Sequence, residues 1–213
     1  MFIYILNNWT KYEALVTRHV SLTLAALAIC FCLGVMLGAL CFRNQIASGV
    51  VTSVAGALRV VPSLAVMLIL MPVLGVGVTP ALTALVIIGL PPVIINTASA
   101  LGSADKNIIE AAEACAMSER RIFWKIRVPL AMPFIITGLR LAGLSASAGA
   151  ILAAYIGAGG LGELILSGLS QYRMDILLAG AVTTMAISLF IECVFQALYA
   201  ISMRNRGCAA EPK

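Results

Sequence analysis

The chain has 213 residues, of which 62% are hydrophobic and 11% are charged, and its formal net charge at pH 7 is +5. Soluble domains contain about 45–50% apolar and about 25% charged residues, so the composition excludes an ordinary soluble domain and predicts a membrane protein. The positive charge does not indicate a nucleic-acid partner, because basic residues of membrane proteins mark particular loops. A chain of this length can form about five or six membrane-spanning helices joined by short connections.

Five apolar segments predict an all-α, polytopic membrane protein. The first, residues 21–42, is uncharged and long enough to cross a bilayer. The second, within 50–75, contains Arg59, Pro62 and Pro72, so we expect a kinked or interfacial segment there. The remaining spans are predicted at about 78–98, 132–156 and 176–202.

The positions of the basic residues predict the orientation. If the C-terminus faces the cytoplasm, nine of the fourteen Lys and Arg residues fall in cytoplasmic segments and three in outside segments. The positive-inside rule therefore favours an outside N-terminus and a cytoplasmic C-terminus. Arg59 and Arg140 lie within spans, where we interpret both as snorkelling towards the cytoplasm, with a gate or pathway role as the alternative.

The segment YIGAGGLGELI contains a G-x-G-x-x-G motif at Gly157, Gly159 and Gly162. A dinucleotide site requires a strand before this motif and a helix after it, whereas here a predicted membrane helix precedes it. Glu163 would also repel a phosphate. We therefore expect these glycines to form a turn or a close helix contact rather than a nucleotide site.

Charge is concentrated in one segment, because nine of the 23 charged residues lie between Asp105 and Arg127. The pattern predicts two short helices on the cytoplasmic side, the first capped by Asp105 or Ser103 and the second by Ser118. The alternative is a solvated loop of mixed charge. The sequence contains no G-x-x-x-x-G-K-[ST] motif, so we expect no ATP hydrolysis through a P-loop of its own.

This charged segment resembles the Glu-Ala-Ala loop of ATP-binding-cassette (ABC) importer permeases. The family pattern is Glu-Ala-Ala, three residues, Gly, nine residues and Ile-x-Leu-Pro, and the chain departs from it with Ala for Gly and Val for Leu. The matching positions are Glu110, Ala111, Ala112, Ala116, Ile126, Val128 and Pro129. The resemblance implies that these residues contact a separate ATPase subunit, which binds the ATP, and that this chain holds no cofactor and no metal.

Further segments of the sequence indicate which branch of the importer permeases the chain resembles. RVVPSLAVM, LPPVIINT and YIGAGGLGELI are similar to permease subunits of importers for osmoprotectants such as glycine betaine, choline, carnitine and related quaternary ammonium compounds. The resemblance implies a type I ABC permease fold, with residues 1–213 as one transmembrane domain and a coupling loop at about 99–130. It also implies an extracytoplasmic substrate-binding protein and a second permease subunit. The candidate pathway residues are Arg59, Pro62, Ser63, Asn96, Tyr155 and Glu163.

Other functions remain open. Relatives often have Gln where Arg59 stands and Arg where Ile95 stands, and methionine permeases carry a similar glycine-rich segment, so another small solute is an alternative. An ion-coupled carrier would need buried carboxylates, for which Glu192 is the only candidate in a span. An intramembrane protease would need Ser145 and His19 to meet. The six cysteines lie in predicted spans or on the reducing side, which favours packing roles over disulfides or a metal site.

Overall fold

The computed structural model of the chain describes residues 1–58 and 60–207, without the side chains of residues 45, 47 and 205–207. Helices make up nearly all of this part, and it contains no strand. Four helices are long and apolar enough to cross a membrane, or five if the bent pair formed by α3 (Gln45–Leu58) and α4 (Ser63–Leu74) counts as one span. The prediction of an all-α, polytopic membrane protein is therefore confirmed. The long helices are α2 (Trp9–Cys41), α5 (Val78–Gly102), α8 (Val128–Leu152) and α10 (Met174–Gly207).

Shorter helices flank and connect the long ones. These helices are α1 (Phe2–Asn7), α3 (Gln45–Leu58), α4 (Ser63–Leu74), α6 (Lys106–Ala114), α7 (Glu119–Ile122) and α9 (Gly162–Ser170). We call the end of the bundle that contains α6 and α7 the coupling end, and the end that contains residues 157–161 the glycine-turn end.

Helix α5 forms the centre of the bundle, between α2 and α8. Glycines on both neighbours permit this close packing. A Cβ atom at Gly38 of α2 would lie 2.6 Å from Cβ of Thr97, and one at Gly138 of α8 would lie 2.9 Å from the carbonyl oxygen of Pro92. Because lipid is as apolar as the side chains, van der Waals contact of this kind, rather than exclusion of water, stabilises helix pairs in membranes.

The predicted interruption of the second span is confirmed. Helix α3 ends at Leu58, α4 begins at Ser63, and the two are bent by 94°. Pro62 precedes α4 with a ψ of 131°, and its ring cannot continue a helix from α3. By contrast, the third span extends beyond its predicted end near residue 98 to Gly102, with two prolines inside it. Packed neighbouring helices make such prolines tolerable within a membrane.

The outer surface of the bundle is apolar. Phe31 and Met36 on α2, and Leu189 and Phe190 on α10, each expose half or more of their surface. In water such side chains would be costly, whereas in a bilayer they face a solvent of the same kind. The exposed faces of α2 and α10 are therefore consistent with a multi-pass membrane protein.

Candidate functional site

The charged segment forms two helices, as predicted. The backbone N–H of Asn107 donates to Oδ1 of Asp105 over 2.9 Å, so Asp105 caps α6. Ser118 occupies the N-cap position of α7, as predicted, although its side chain makes no capping hydrogen bond. The link between the helices is set by Ala116, which has a φ of 56°.

The turn at Ala116 ends α6 in a Schellman motif. The N–H of Ala116 donates to the carbonyl oxygen of Glu113 over 2.8 Å, and the N–H of Met117 donates to that of Ala112 over 3.1 Å. This motif places its C′ residue in the left-handed region, where glycine is favoured because it has no Cβ. Ala116 thus adopts the backbone conformation that the family's glycine permits, although alanine does so at a cost.

The candidate coupling residues divide into an exposed group and a less exposed group. Glu110, Ala111 and Ala116 are exposed on α6 and its turn, where another protein can reach them. Ala112 is buried, so it packs inside the permease and does not belong to an exposed seating face. Ile126 and Val128 are half-buried, whereas Pro129 is exposed.

Helix α7 continues directly into a membrane span. Residues 123–127 form a π-helical turn in which the N–H of Val128 donates to the carbonyl oxygen of Phe123, and α8 follows without a break. Pro129 accounts for the wider turn, because it has no N–H and its ring would clash with the carbonyl group four residues earlier. The second coupling helix and the span are therefore one continuous element, Glu119–Ile156.

Two contacts that the sequence did not indicate attach this segment to the bundle. Nη1 of Arg127 donates to the carbonyl oxygen of Leu101, at the end of α5, over 2.8 Å. Arg43, just beyond α2, pairs with Glu119 at 2.9 Å. The ring of Phe42 lies between these groups, with the Arg127 guanidinium 5.5 Å from its centre. The ring of Phe42 also stacks on that of Phe123, with the ring centres 5.7 Å apart. The exposed ion pair contributes little by itself, so Arg127 and these two stacked rings are the main attachment.

At the opposite end, the glycine segment forms a tight and well-supported turn. Gly157, Gly159 and Gly160 all have positive φ values, from 72° to 91°. The N–H of Gly77 donates to the carbonyl oxygen of Ile156 over 2.7 Å, which joins the turn to the start of α5. A 3₁₀ turn rather than a strand precedes the motif, in agreement with the expectation of a turn and not a dinucleotide fold.

The first span also supports this turn. Arg18 donates from Nε to the carbonyl oxygen of Ala158 over 3.1 Å. His19 is fully buried against Gly160, where an added Cβ would lie 3.5 Å from the histidine Cβ. Neither ring nitrogen of His19 has a hydrogen-bond partner among the described residues, so His19 and Ser145 do not form a protease dyad here.

Two candidate pathway residues flank the glycine turn and remain accessible. Tyr155 is 56% exposed in the 3₁₀ turn before it. Glu163 is exposed in the first turn of α9. It also lines a groove of about 530 Å³ together with Lys11, Ser167 and Ser170 among other residues. The glycine turn packs against α2 and the start of α5, whereas Tyr155 before it and Glu163 after it expose an aromatic ring and a carboxylate at the surface.

The remaining candidate pathway residues lie near the break in the second span and along α5. Pro62 is exposed and Ser63 is half-buried, at the start of α4. Asn96 is half-buried, and its Nδ2 donates to the carbonyl oxygen of Pro92 over 2.7 Å, so part of its polar capacity is used within α5. Arg59 lies outside the described residues, as does Cys208.

Arg140 contacts two polar side chains of α10, an arrangement that the sequence did not indicate; its snorkelling towards the cytoplasm stays a prediction. Arg140 stands at the middle of α8, and its Nη1 lies 2.7 Å from Oε1 of Gln196 and 3.3 Å from Oε1 of Glu192, both on α10. At a rise of 1.5 Å per residue, about 18 Å of helix separates Arg140 from either end of α8, so the arginine lies well inside this long apolar helix. Glu192, the carboxylate that an ion-coupled carrier would need, is therefore paired with an arginine of a neighbouring span.

The family is identified by comparison with known proteins. Residues 30–202 match the family described as the binding-protein-dependent transport system inner membrane component. The chain belongs to this family. Members of this family are transport components of the inner membrane, in agreement with the apolar helices described above. Among solved structures, an inward-facing form of the MetNI methionine ABC transporter has a similar fold, with a TM-score of 0.78 over 91% of this chain and 97% of that chain, at 18% identity.

Individual relatives in the family are similar over most of their length. The carnitine transport permease protein OpuCB of Listeria monocytogenes is 36% identical over 175 residues, which cover 82% of this chain and 80% of the relative. The osmoprotectant import permease protein OsmW of Salmonella typhimurium is 31% identical over 204 residues, 93% of this chain and 94% of the relative. The choline transport system permease protein OpuBB of Bacillus subtilis is 30% identical over 177 residues, 83% and 82% respectively.

Proposed function

We propose that this inner membrane component is the permease subunit of an ATP-driven importer for quaternary ammonium osmoprotectants, such as glycine betaine, choline or carnitine. The observation that carries the proposal is the similarity, over four-fifths or more of each chain, to permeases named for carnitine, choline and osmoprotectants. Carnitine and choline both carry a trimethylammonium group, so this cation is the chemical feature that the importer selects.

The coupling end supports the ATP-driven part of the proposal. Glu110 and Ala111 are exposed on α6, beside a turn of small residues, and α7 runs directly into α8. An ATPase subunit that receives these helices in a groove binds the ATP, moves α8 as it closes, and reopens after hydrolysis. Charge complementarity at Glu110 fixes the orientation of docking. In this arrangement the coupling end faces the cytoplasm and the glycine-turn end faces outside.

Two further partners belong to the proposal. One permease provides half of a translocation path, and a second permease subunit completes it. An extracytoplasmic binding protein selects the substrate, because trimethylammonium groups are held by aromatic cages. It docks at the glycine-turn end, where Tyr155 and Glu163 are exposed.

Uptake by the reconstituted importer tests the proposal. Proteoliposomes that contain the permease, its ATPase and its binding protein should accumulate labelled glycine betaine, choline or carnitine when ATP is supplied, and not when ATP is omitted. Labelled methionine is the matched comparison, since the fold is shared with a methionine transporter. Uptake of methionine without any of the three quaternary ammonium compounds would refute the proposed substrate class.

A further inference from the structure

An intramembrane cluster of three polar side chains joins α8 to α10, and transport as outlined above does not use it. Nη1 of Arg140 lies 2.7 Å from Oε1 of Gln196, whereas its contact with Oε1 of Glu192 is longer, at 3.3 Å. Charged groups within membrane spans are costly and are commonly functional. The geometry of this cluster therefore needs an explanation beyond helix packing.

The cluster is incompletely bonded in a complementary way. Among the described residues, Nε of Arg140 and Oε2 of Glu192 are both buried and both lack a hydrogen-bond partner. One is a donor and the other is an acceptor. A guanidinium group binds a carboxylate best through two parallel N–H···O bonds, and Nε with one Nη atom provides such a fork. Pairing the two unbonded atoms would therefore satisfy both at once.

The two acceptors on α10 are placed for an exchange. Glu192 and Gln196 are four residues apart and so lie on the same face of α10, one turn from each other. Moving Arg140 from the shared contact to a fork on Glu192 requires a displacement of less than one turn, about 5.4 Å. One turn along α8 from Arg140, Gly143 packs closely against Ile191 of α10. Because Gly143 has no side chain, it does not obstruct a sliding movement of α8 along α10.

We propose that Arg140 is a positioning residue that exchanges between two states as the permease works: one shared between Gln196 and Glu192, and one forked on Glu192 alone. This inference rests on the proposed function, because α8 continues from the coupling helix and would carry the displacement. In the shared state Gln196 competes with the fork. The balance between the two acceptors sets the relative populations of the two α8–α10 arrangements.

Two substitutions should disturb this balance in opposite directions. Arg140→Lys keeps the charge but cannot form the fork, so it favours the shared state. Gln196→Leu removes the competing acceptor, so it favours the fork. We expect each to change ATP hydrolysis by the permease–ATPase complex, measured in lipid nanodiscs without substrate, by at least about threefold, and in opposite directions. The double variant should behave as Arg140→Lys, because without the fork the loss of Gln196 no longer matters.

The matched control is Ser188→Ala, which removes a different polar contact between these helices, the 2.9 Å hydrogen bond between Ser147 and Ser188. It should leave hydrolysis within about twofold of the parent complex. Shifts of the same sign in Arg140→Lys and Gln196→Leu, or no shift in either, would overturn the proposal. The assay needs no substrate. Opposite shifts with no uptake of quaternary ammonium compounds would therefore refute the proposed substrate alone, and normal uptake with shifts of one sign would refute only the exchange.

Discussion

Arg18 of the first span donates a hydrogen bond to the carbonyl oxygen of Ala158, in the middle of the glycine turn, 140 residues later in the chain. Because the glycines have no side chains, this bond and the buried His19 are what hold the turn from the side of α2. A segment rich in glycine is thus kept in one conformation by its neighbours.

Loss of this bond should loosen the turn. Arg18→Met keeps the apolar stem and removes the donor, and a hydrogen bond from a charged group contributes about 1.5–3 kcal/mol. We expect hydrogen–deuterium exchange of the amides at 157–162 to accelerate at least about tenfold. Arg173→Met is the matched control, since Arg173 pairs with Asp175 at the same end on the exposed surface. Equal acceleration in both variants would show that the bond from Arg18 is not what supports the turn.

Ala116 should tolerate, and benefit from, glycine. Its φ of 56° costs an alanine about 1–2 kcal/mol, against about 0.5–1 kcal/mol for the greater freedom of an unfolded glycine. Ala116→Gly should therefore keep uptake and raise the free energy of unfolding by up to about 1.5 kcal/mol. The measurement is thermal unfolding in detergent. Ala111→Gly, within α6, is the control and should lower stability by about 0.5–1 kcal/mol. A less stable Ala116→Gly variant would contradict the left-handed turn.

Charge reversal at Glu110 should uncouple the permease from its ATPase. Glu110→Arg places a positive charge on the exposed face of α6, and like charges brought together at an interface cost several kcal/mol. Uptake should fall to background, and the ATPase should no longer co-purify with a permease that still inserts and folds. Glu13→Arg, an exposed charge reversal near the N-terminus, should leave both intact. Normal uptake by the Glu110→Arg variant would refute the proposed role of Glu110 in docking the ATPase.

Tyr155 and Glu163 should affect the apparent affinity for substrate. A ring that faces a cation contributes about 0.5–2 kcal/mol, and a nearby carboxylate attracts the same charge. Tyr155→Ala and Glu163→Gln should therefore each raise the substrate concentration for half-maximal uptake, by about twofold to thirtyfold for the tyrosine, with protein level and dimer content unchanged. Tyr172→Ala removes a ring that is 93% exposed and serves as the control. Unchanged uptake in both variants would show that Tyr155 and Glu163 have no role in substrate affinity and that the glycine-turn end serves helix packing only.

The orientation can be tested by labelling. In a cysteine-free background, a single cysteine at position 119 should react with a membrane-impermeant reagent only from the cytoplasm, and one at position 170 only from outside. Both positions are exposed, the first at the coupling end and the second in the last residue of α9. Labelling of position 119 from outside would reverse the positive-inside assignment.

The spans were predictable because their signals are local. An uncharged apolar run, a proline or a cluster of charges reports on its own few residues, and such signals correctly indicated the interrupted second span and the two short helices α6 and α7. The end of the third span was misplaced, because α2 and α8 pack around α5 and make its prolines tolerable as far as Gly102.

The details of the site were not predictable, because they depend on residues far apart in sequence. Arg140 finds its partners 52 and 56 residues later, on α10, and nothing near Arg140 in the sequence distinguishes this from snorkelling. Ala112 is buried although its neighbour Ala111 is exposed, and that difference depends on how α6 rests on the bundle. The family resemblance indicated the coupling segment but not its attachment through Arg127.

The unbroken element Glu119–Ile156 has a mechanical consequence. Its 38 residues correspond to about 57 Å at 1.5 Å per residue, which is longer than a bilayer is thick. A tilt of only about 5° at the end held by the ATPase would displace the end beside Tyr155 by about 5 Å, the width of a small substrate's cationic head. A nucleotide-driven motion that is slight at one membrane surface can thus open or close an aperture at the other, with no signal passed between separate parts.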